Sequence, residues 1–494
     1  MRISMFVSIC RIKTFVLLAL IFSFAAIGRE SDERELLSPE HIKADLSQLY
    51  AELQLAHYNL FFNLPKKQYD LAYQRYLEDI DSPMSASDIK VMFQKFMALG
   101  NIAHSNTSLP VEAYQKFVDK GGRTLPFYVA IEDGEVWISD YYGNETSIAL
   151  YDQVLAINDI PIGELLKRLG VYLSADNIAL ESTLMEFQLP FLMWLELGEV
   201  AQYRLRVQSS NGHTHNAIIA ALNRNEQSKN RSSQETDSAD EPSIQQADML
   251  EGNIAYLKPG PFYNTTSENI WDNTAFVEFI DNAFNDFIEK GAKALLIDLR
   301  SNPGGTNSFS DPMIAWFANK PFKFASDFIV KVSPQSERAN EKRLAVSTDK
   351  NDISNKLATF YKAHEAGETF SFDLPLASPR EGKRFSAPVY LLIDRYTYSN
   401  AVSVAAIAQD YGFATLIGEK TSDLATTLGA MEHFTLENSG IEIGYPKAHI
   451  IRPNGSRKPD GVKPDVLLEI SLRKNKNGMM LEQALDVIKA AISE

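Results

Sequence analysis

Two hydrophobic periods divide the chain. Over residues 38–100, apolar positions return every three to four residues. In SPEHIKADLSQLYAELQLAHYNLFF, Leu46, Leu49, Leu53 and Leu55 fall with Tyr50 on helical spacing. Ser38 stands as N-cap and Pro39 takes the first helical position, where a missing N–H costs nothing. ASDIKVMFQKFMALG repeats the pattern through Ile89, Met92, Phe93, Phe96 and Met97, with Gly100 as the C-terminal cap. From about Leu125 the period shortens. PFYVAIEDGEVWISDYYG predicts two strands around Asp133-Gly134, a hairpin signal. ALYDQVLAINDIPIGELLKRLG predicts strand, turn, strand and helix, and residues 201–222 give one or two further strands turning at Asn211-Gly212.

The segment 223–248 breaks the pattern. It is almost free of apolar residues and rich in Ser, Gln, Asn and charge, so it cannot repay its ordering entropy with buried surface. It reads as a flexible linker or a long disordered loop. Beyond it, GNIAYLKPG, KALLIDLRSNPGG, PVYLLIDRYTYSN and ATLIGEKTS form a strand series separated by helix-like stretches such as AFVEFIDNAFNDFIEKG. Such alternation predicts an α/β domain with a largely parallel sheet, whose functional residues gather at the carboxyl ends of the strands.

At 494 residues, more than one domain is expected. A formal net charge of -16 argues against sequence-independent binding to nucleic acid or anionic lipid. The N-terminus changes the picture more. MRISMFVSICRIK is basic, TFVLLALIFSFAAIG is apolar, and RESDEREL switches to charge. This layout predicts a secretory signal peptide over residues 1–28, the apolar run being short for a membrane span. The expected destination is the periplasm or the exterior, with a bacterial cell envelope favoured. Cys10, the single cysteine, lies inside that segment. The remainder therefore has no disulfide, no thiolate nucleophile and no cysteine-ligated metal.

Three segments offer chemistry. LLIDLRSNPGG ends a buried strand at Asp298, and Gly304-Gly305 would let the backbone approach a ligand closely. An ordinary strand-to-helix loop is the competing reading. RYTYSNAVSVAAIAQD places Ser399 between a buried strand and a buried helix. Taken alone, Ser399 is more often a simple helix cap than a nucleophile. ALGNIAHSNTSLP puts His104, one of eight histidines, in a polar loop after a helix end.

In combination these segments resemble the C-terminal processing protease and tricorn-core family of serine peptidases. The shared set is Asp-Leu-Arg-x-Asn-x-Gly-Gly after one strand, a serine after a second, and Gly-Glu-x-Thr after a third. YDQVLAINDIPI also resembles the end of a PDZ domain, with Tyr151 and Asp159 at glycine positions. The resemblance implies a crotonase/ClpP-like α/β peptidase core at 249–494. Ahead of it would lie a helical region at 29–120, a PDZ-like β-rich domain at 121–222 and the linker 223–248.

The family activates its serine in two ways. A Ser-Lys dyad would put lysine 25 residues after Ser399, where this chain has Leu424, and Lys420 lies where that branch carries no base. The tricorn-like branch uses an upstream histidine, and His104 falls at that place. A neutral imidazole accepts the serine proton and an acid partner stabilises the imidazolium. That branch carries a glutamate before Gly-Val-x-Pro-Asp, whereas this chain has Lys458-Pro459-Asp460 there. Asp460 is the expected substitute, a turn residue before Gly461 is the equal alternative, and Asp423 is a second candidate. The N–H of Asn400 and that of Gly304 or Gly305 would form the oxyanion hole.

The expectation is an exported serine endopeptidase working through an acyl-enzyme, with a protein or peptide as substrate. It uses no metal and no cofactor, binds no nucleic acid, and is compatible with a homo-oligomer. The PDZ-like segment would take an extended peptide on a sheet edge. The alternative is a catalytically weakened relative that binds a peptide or hydrophobic ligand. A crotonase-like enzyme acting on acyl thioesters fits poorly with an export signal.

Overall fold

A computed structural model describes residues 36–232, 245–267, 269–346, 353–468 and 476–493. The expected signal peptide and Cys10 lie outside these residues. Among the described residues no helix is long and apolar enough to cross a membrane.

The N-terminal helices are Pro39–Ala56, Lys66–Asp79 and Ala86–Ala98. Ser38 caps the first, accepting the His41 N–H, with Pro39 in the first turn. Its apolar stripe of Ile42, Leu46, Leu49 and Leu53 is fully buried, while Leu55 points outward. This stripe packs with Phe93, Phe96 and Met97 against Phe434, Leu436, Ile443 and Tyr445 from the far end of the chain. The helices therefore do not stand apart from the core; they cover a sheet of its C-terminal half. Truncating Leu49 to Ala at such a joint costs about 2–5 kcal/mol.

The β-rich domain is an antiparallel sheet ordered Phe127–Glu132, Glu135–Tyr141, Gln153–Ile157, Gln202–Gln208, Thr214–Ala220, with Ile160–Pro161 paired to Gln153–Ile157. Asp133 and Gly134 both take positive φ, 52° and 80°, as a two-residue hairpin turn demands. A 20-residue helix, Ile178–Leu197, packs against Phe127–Glu132. It is apolar on almost every side, so it shows no helical stripe; the sheet and the core bury it from both directions. Its Glu186 and the core's Arg395 form an ion pair at 3.2 Å. Together they satisfy the outer edge of strand Phe127–Glu132 at Ile131: the N–H donates to Glu186, and the carbonyl accepts from Arg395 at 2.9 Å. This edge of the sheet is thus already paired at that residue.

The linker expectation is corrected at both ends. Arg224–Ser232 is a helix, started by a reciprocal box in which Glu226 N–H donates to the Asn223 side chain and Asn223 N–H to Glu226. It is held by Arg123–Glu226, at the start of the β-rich domain, and by Arg224–Asp119, at the end of helix Val111–Asp119. Gln246–Leu250 is a strand, antiparallel to Ile254–Lys258. Polar composition hid both, because caps and backbone pairing do what apolar burial does elsewhere. Residues 233–244 lie outside the described residues.

The core sheet runs Val466–Leu467, Thr415–Gly418, Val389–Ile393, Ala294–Asp298, Ile254–Lys258, Gln246–Leu250, parallel but for the last pair. Its three central strands are buried along their whole length, which explains their unbroken apolar sequences. A second, antiparallel sheet joins Glu442–Ile451 to Asn106–Thr107, Asp327–Lys331 and Thr427–Thr435. It pins the segment just after His104 to the core.

Candidate active site

Strand Ala294–Asp298 delivers the first wall. Arg300 folds back onto the Asp298 carboxylate at 2.7 Å, and Tyr256 donates to it at 2.8 Å. Burial works against the charge, yet these donors keep Asp298 below the usual carboxylate range. The pair fixes the strand end. Asn302 then organises the glycines. Its Oδ1 accepts the Gly304 N–H at 2.9 Å, its Nδ2 donates to Gly260 O at 2.8 Å, and its carbonyl accepts the Tyr398 N–H at 2.9 Å.

Strand Val389–Ile393 delivers the second wall. Asp394 and Thr397 close a tight turn, with Thr397 Oγ1 donating to Leu299 O at 2.9 Å and Ser301 N–H donating to Asp394 at 3.1 Å. Helix Asn400–Tyr411 follows. Ser399 lies between, at φ 52° and ψ -123°, where a non-glycine residue is strained. A cap serine takes extended angles and spends its hydroxyl on the first helical turn. Ser399 does neither, making no side-chain cap bond. The cap reading of Ser399 therefore fails on geometry.

The oxyanion donors separate. Gly304 is excluded, because its N–H is held by Asn302. The N–H of Gly305 and that of Asn400, the first residue of its helix, make no hydrogen bond among the described residues. Gly304, at φ 82°, still matters through its missing side chain: a Cβ there would lie 2.6 Å from Asn400 N and 2.9 Å from Ser399 Cβ. A Cβ on Gly305 would meet Phe262 O at 2.1 Å. Both glycines allow close backbone approach, one beside the serine and one along the parallel bridge to Phe262.

His104 is buried in the loop after helix Ala86–Ala98. Its ring stacks on Tyr398, the residue before Ser399, with centroids 6.1 Å apart and planes 17° apart. Its loop is braced by Gln94, which accepts the Thr107 N–H at 2.9 Å, and by Ser174, which donates to Ser105 O at 2.6 Å. Burial pulls the imidazole below its ordinary value; the Asp423 carboxylate and the Leu428 carbonyl oppose this. The shift favours the neutral imidazole, the form a general base needs.

The expected acid, Asp460, is not the one the structure sets against His104. Its carboxylate is partly exposed, paired with Lys420 and, at 2.9 Å, with Lys458, and accepts the Gly461 N–H at 3.0 Å. Its slight burial is overridden by these two lysines, which hold it at about 2. Asp460 is the turn residue of the two alternatives. Asp423 is the buried acid: it accepts the Ser399 N–H at 2.6 Å and the Leu424 N–H at 2.8 Å, and it acts electrostatically on His104. Burial pushes the Asp423 carboxyl up, against His104 and the two N–H donors. Sequence gave it only second rank, since its signal is bare adjacency to Gly-Glu-x-Thr. A second acid near the site, Asp176, escaped notice altogether.

The Gly-Glu-x-Thr turn has its own use. Thr421 Oγ1 donates to Asp423 O at 2.8 Å and accepts the Val462 N–H at 2.9 Å. It ties the Asp423 loop to Gly461-Val462.

Comparison with known proteins places this geometry. Residues 254–468 match the model described as Peptidase family S41. No curated protein matches the chain. Among solved structures, mature CPAF complexed with lactacystin is similar at TM-score 0.62 and 15% identity, over 92% of this chain and 98% of that one. Mature CPAF alone gives TM-score 0.61 and 16% identity, over 91% and 96%. The photosystem II D1 C-terminal processing protease gives TM-score 0.45 and 13% identity, over 87% and 93%. The two CPAF structures share the fold; the family match covers the strand ends that carry Gly304, Gly305, Ser399 and Asp423. Residues 254–468 are a domain of peptidase family S41, and the chain is a serine-type peptidase.

Proposed function

We propose that the protein is an exported endopeptidase in which Ser399 is the nucleophile, His104 the general base and Asp423 the acid member. The observation that carries this is Ser399 itself: strained, uncapped, with its N–H on the Asp423 carboxylate and His104 stacked beside the preceding tyrosine. A structural serine has no reason to hold that conformation.

The reaction follows from these positions. Ser399 Oγ bonds to the scissile carbonyl carbon as its proton passes to His104. The carbonyl oxygen becomes an oxyanion, facing the N–H groups of Asn400 and Gly305. The C–N bond then breaks, and the amine leaves with the proton from His104. Water attacks the acyl-enzyme by the same route in reverse, releasing the acid and restoring Ser399. Asp423 favours the imidazolium in both halves. The N-terminal basic and apolar segment supports export. The weakened-relative alternative drew its force from the missing glutamate, and Asp423 removes that reason.

A fluorophosphonate probe tests the reading. Wild-type protein becomes labelled, Ser399→Ala does not, and His104→Ala is labelled far more slowly. Labelling that persists unchanged in Ser399→Ala would sink the assignment.

A further inference from the structure

Asp176 precedes Asn177, the N-cap of helix Ile178–Leu197, and so belongs in sequence to the β-rich domain. Yet its contacts are with the catalytic cluster. Its Oδ1 accepts the N–H of Ala103, the neighbour of His104, at 3.3 Å. The residue is partly exposed, but its Oδ2 is closed off from solvent and has no hydrogen-bond partner among the described residues. His104 Nδ1 is likewise buried and unpaired. Orphaned polar atoms are rare in protein interiors, and two of them around one base call for an explanation.

The surroundings support one. Ala103, Ala175 and Leu180 form a small apolar cluster with Tyr398, the residue stacked on His104. Asn177 Nδ2 donates to Ser422 O at 3.0 Å, and Thr183 shares a 3.1 Å hydrogen bond with Ser422. The start of this helix is therefore bolted to the loop that carries Asp423. The titratable groups around Asp176 are Asp423 from that loop, Tyr398 from the serine turn, and His104 beside its hydrogen-bond partner.

We propose that Asp176 is a positioning residue of the site, fixing the His104 backbone through the Ala103 N–H and adding a second carboxyl beside the His104–Asp423 pair. The proposal rests on His104 being the base. It gives the β-rich domain a direct share in the catalytic cluster. Burial, and after it the Asp423 carboxylate, push the Asp176 carboxyl up to about 7. Asp176 is then neutral in mild acid and ionised above neutrality, so a charge appears beside Asp423 and at the N–H that precedes His104.

The test reads His104 without needing turnover. In full-length Ser399→Ala protein, the His104 ring C2–H signal, assigned by its loss in His104→Gln, is followed against pH by NMR. Two steps are expected: the imidazole's own, below the ordinary histidine range, and a second near neutrality from Asp176. Asp176→Asn keeps an acceptor for the Ala103 N–H but cannot ionise, so the near-neutral step disappears. Asp176→Glu restores an ionising group, and the step returns at a displaced midpoint. A near-neutral step that survives in Asp176→Asn, or is missing from the parent, overturns the proposal. Because the signal comes from protein without Ser399, its failure is distinct from failure of the nucleophile assignment, which fluorophosphonate labelling decides.

Discussion

Two turns meet at Thr421, and their acids sit in opposite surroundings. Asp423 is buried and accepts two backbone N–H groups, and among the described residues the titratable base set against it is His104. Asp460 is partly exposed and clamped by Lys420 and Lys458. Both are aspartates near the end of the core, and the family pattern favoured Asp460. The difference shows what an acid member needs. A carboxylate whose field two ammonium groups cancel offers little to a forming imidazolium. One buried without a permanent cation offers much, because the low local dielectric leaves its charge unscreened.

Neutralising the two acids one at a time should break this symmetry most visibly. Asp423→Asn is expected to lower kcat/KM on a peptide substrate roughly 10³–10⁴-fold, the scale typical of losing the acid behind a catalytic histidine. Asp460→Asn should stay within about twofold, since a surface ion pair carries little energy. Equal losses in the two variants would return Asp460 to the triad. The stability responses should run the other way. The Asp423 carboxyl is raised in the folded protein, so its ionised form is disfavoured there and weakens the fold at neutral pH. Thermal melting of Asp423→Asn at pH 7 should thus show a Tm no lower than wild type, with activity lost.

The glycines sharpen the contrast at the backbone level. Gly304→Ala places a Cβ 2.6 Å from Asn400 N at a residue whose φ is 82°. The strain costs roughly 1–3 kcal/mol, and the serine turn must shift. Labelling by fluorophosphonate should fall about 10²-fold or more, as when an oxyanion donor is displaced. Gly455, at φ 81° with nothing near its Cβ position, shares the strain without the clash. Gly455→Ala should therefore lower stability in urea while leaving the labelling rate alone. Labelling that falls alike in both would mean that strain, not proximity to Ser399, is what counts.

What could be read in advance follows the same line between local and assembled features. The stripe Ile42–Leu53 and the buried strands Ala294–Asp298 and Val389–Ile393 were legible because burial imposes a period or an unbroken apolar run. Ser399, the glycines and His104 could be singled out because backbone chemistry and a shared motif set mark them. Helix Ile178–Leu197 was not legible, since unbroken burial over residues 188–193 erases the stripe. Helix Arg224–Ser232 was obscured by its polarity, although the Asn223–Glu226 box was present. Asp423 and Asp176 depend on neighbours far off in sequence: Ser399 is 24 residues from the first, and Ala103 is 73 from the second. No linear pattern records that a carboxylate will be buried there.

The smallest effect separates the two acids by pH alone. Asp460 sits at about 2 in the folded protein, below the roughly 3.9 of an unfolded aspartate. A depressed acid contributes stability above its unfolded value and loses that contribution as pH falls toward the folded one. Asp460 should therefore add a shallow slope to the unfolding free energy between about pH 4 and pH 2. Solvent screening of the partly exposed pairs keeps that slope small, and 0.5 M salt should flatten it further. Asp423, being raised, contributes with the opposite sign, above the ordinary carboxylate value. Urea titrations of Asp460→Asn and Asp423→Asn against wild type, at matched pH points, read both. Loss of the low-pH slope in Asp423→Asn rather than Asp460→Asn would show that the lysine clamp and the buried acid had been assigned the wrong way round.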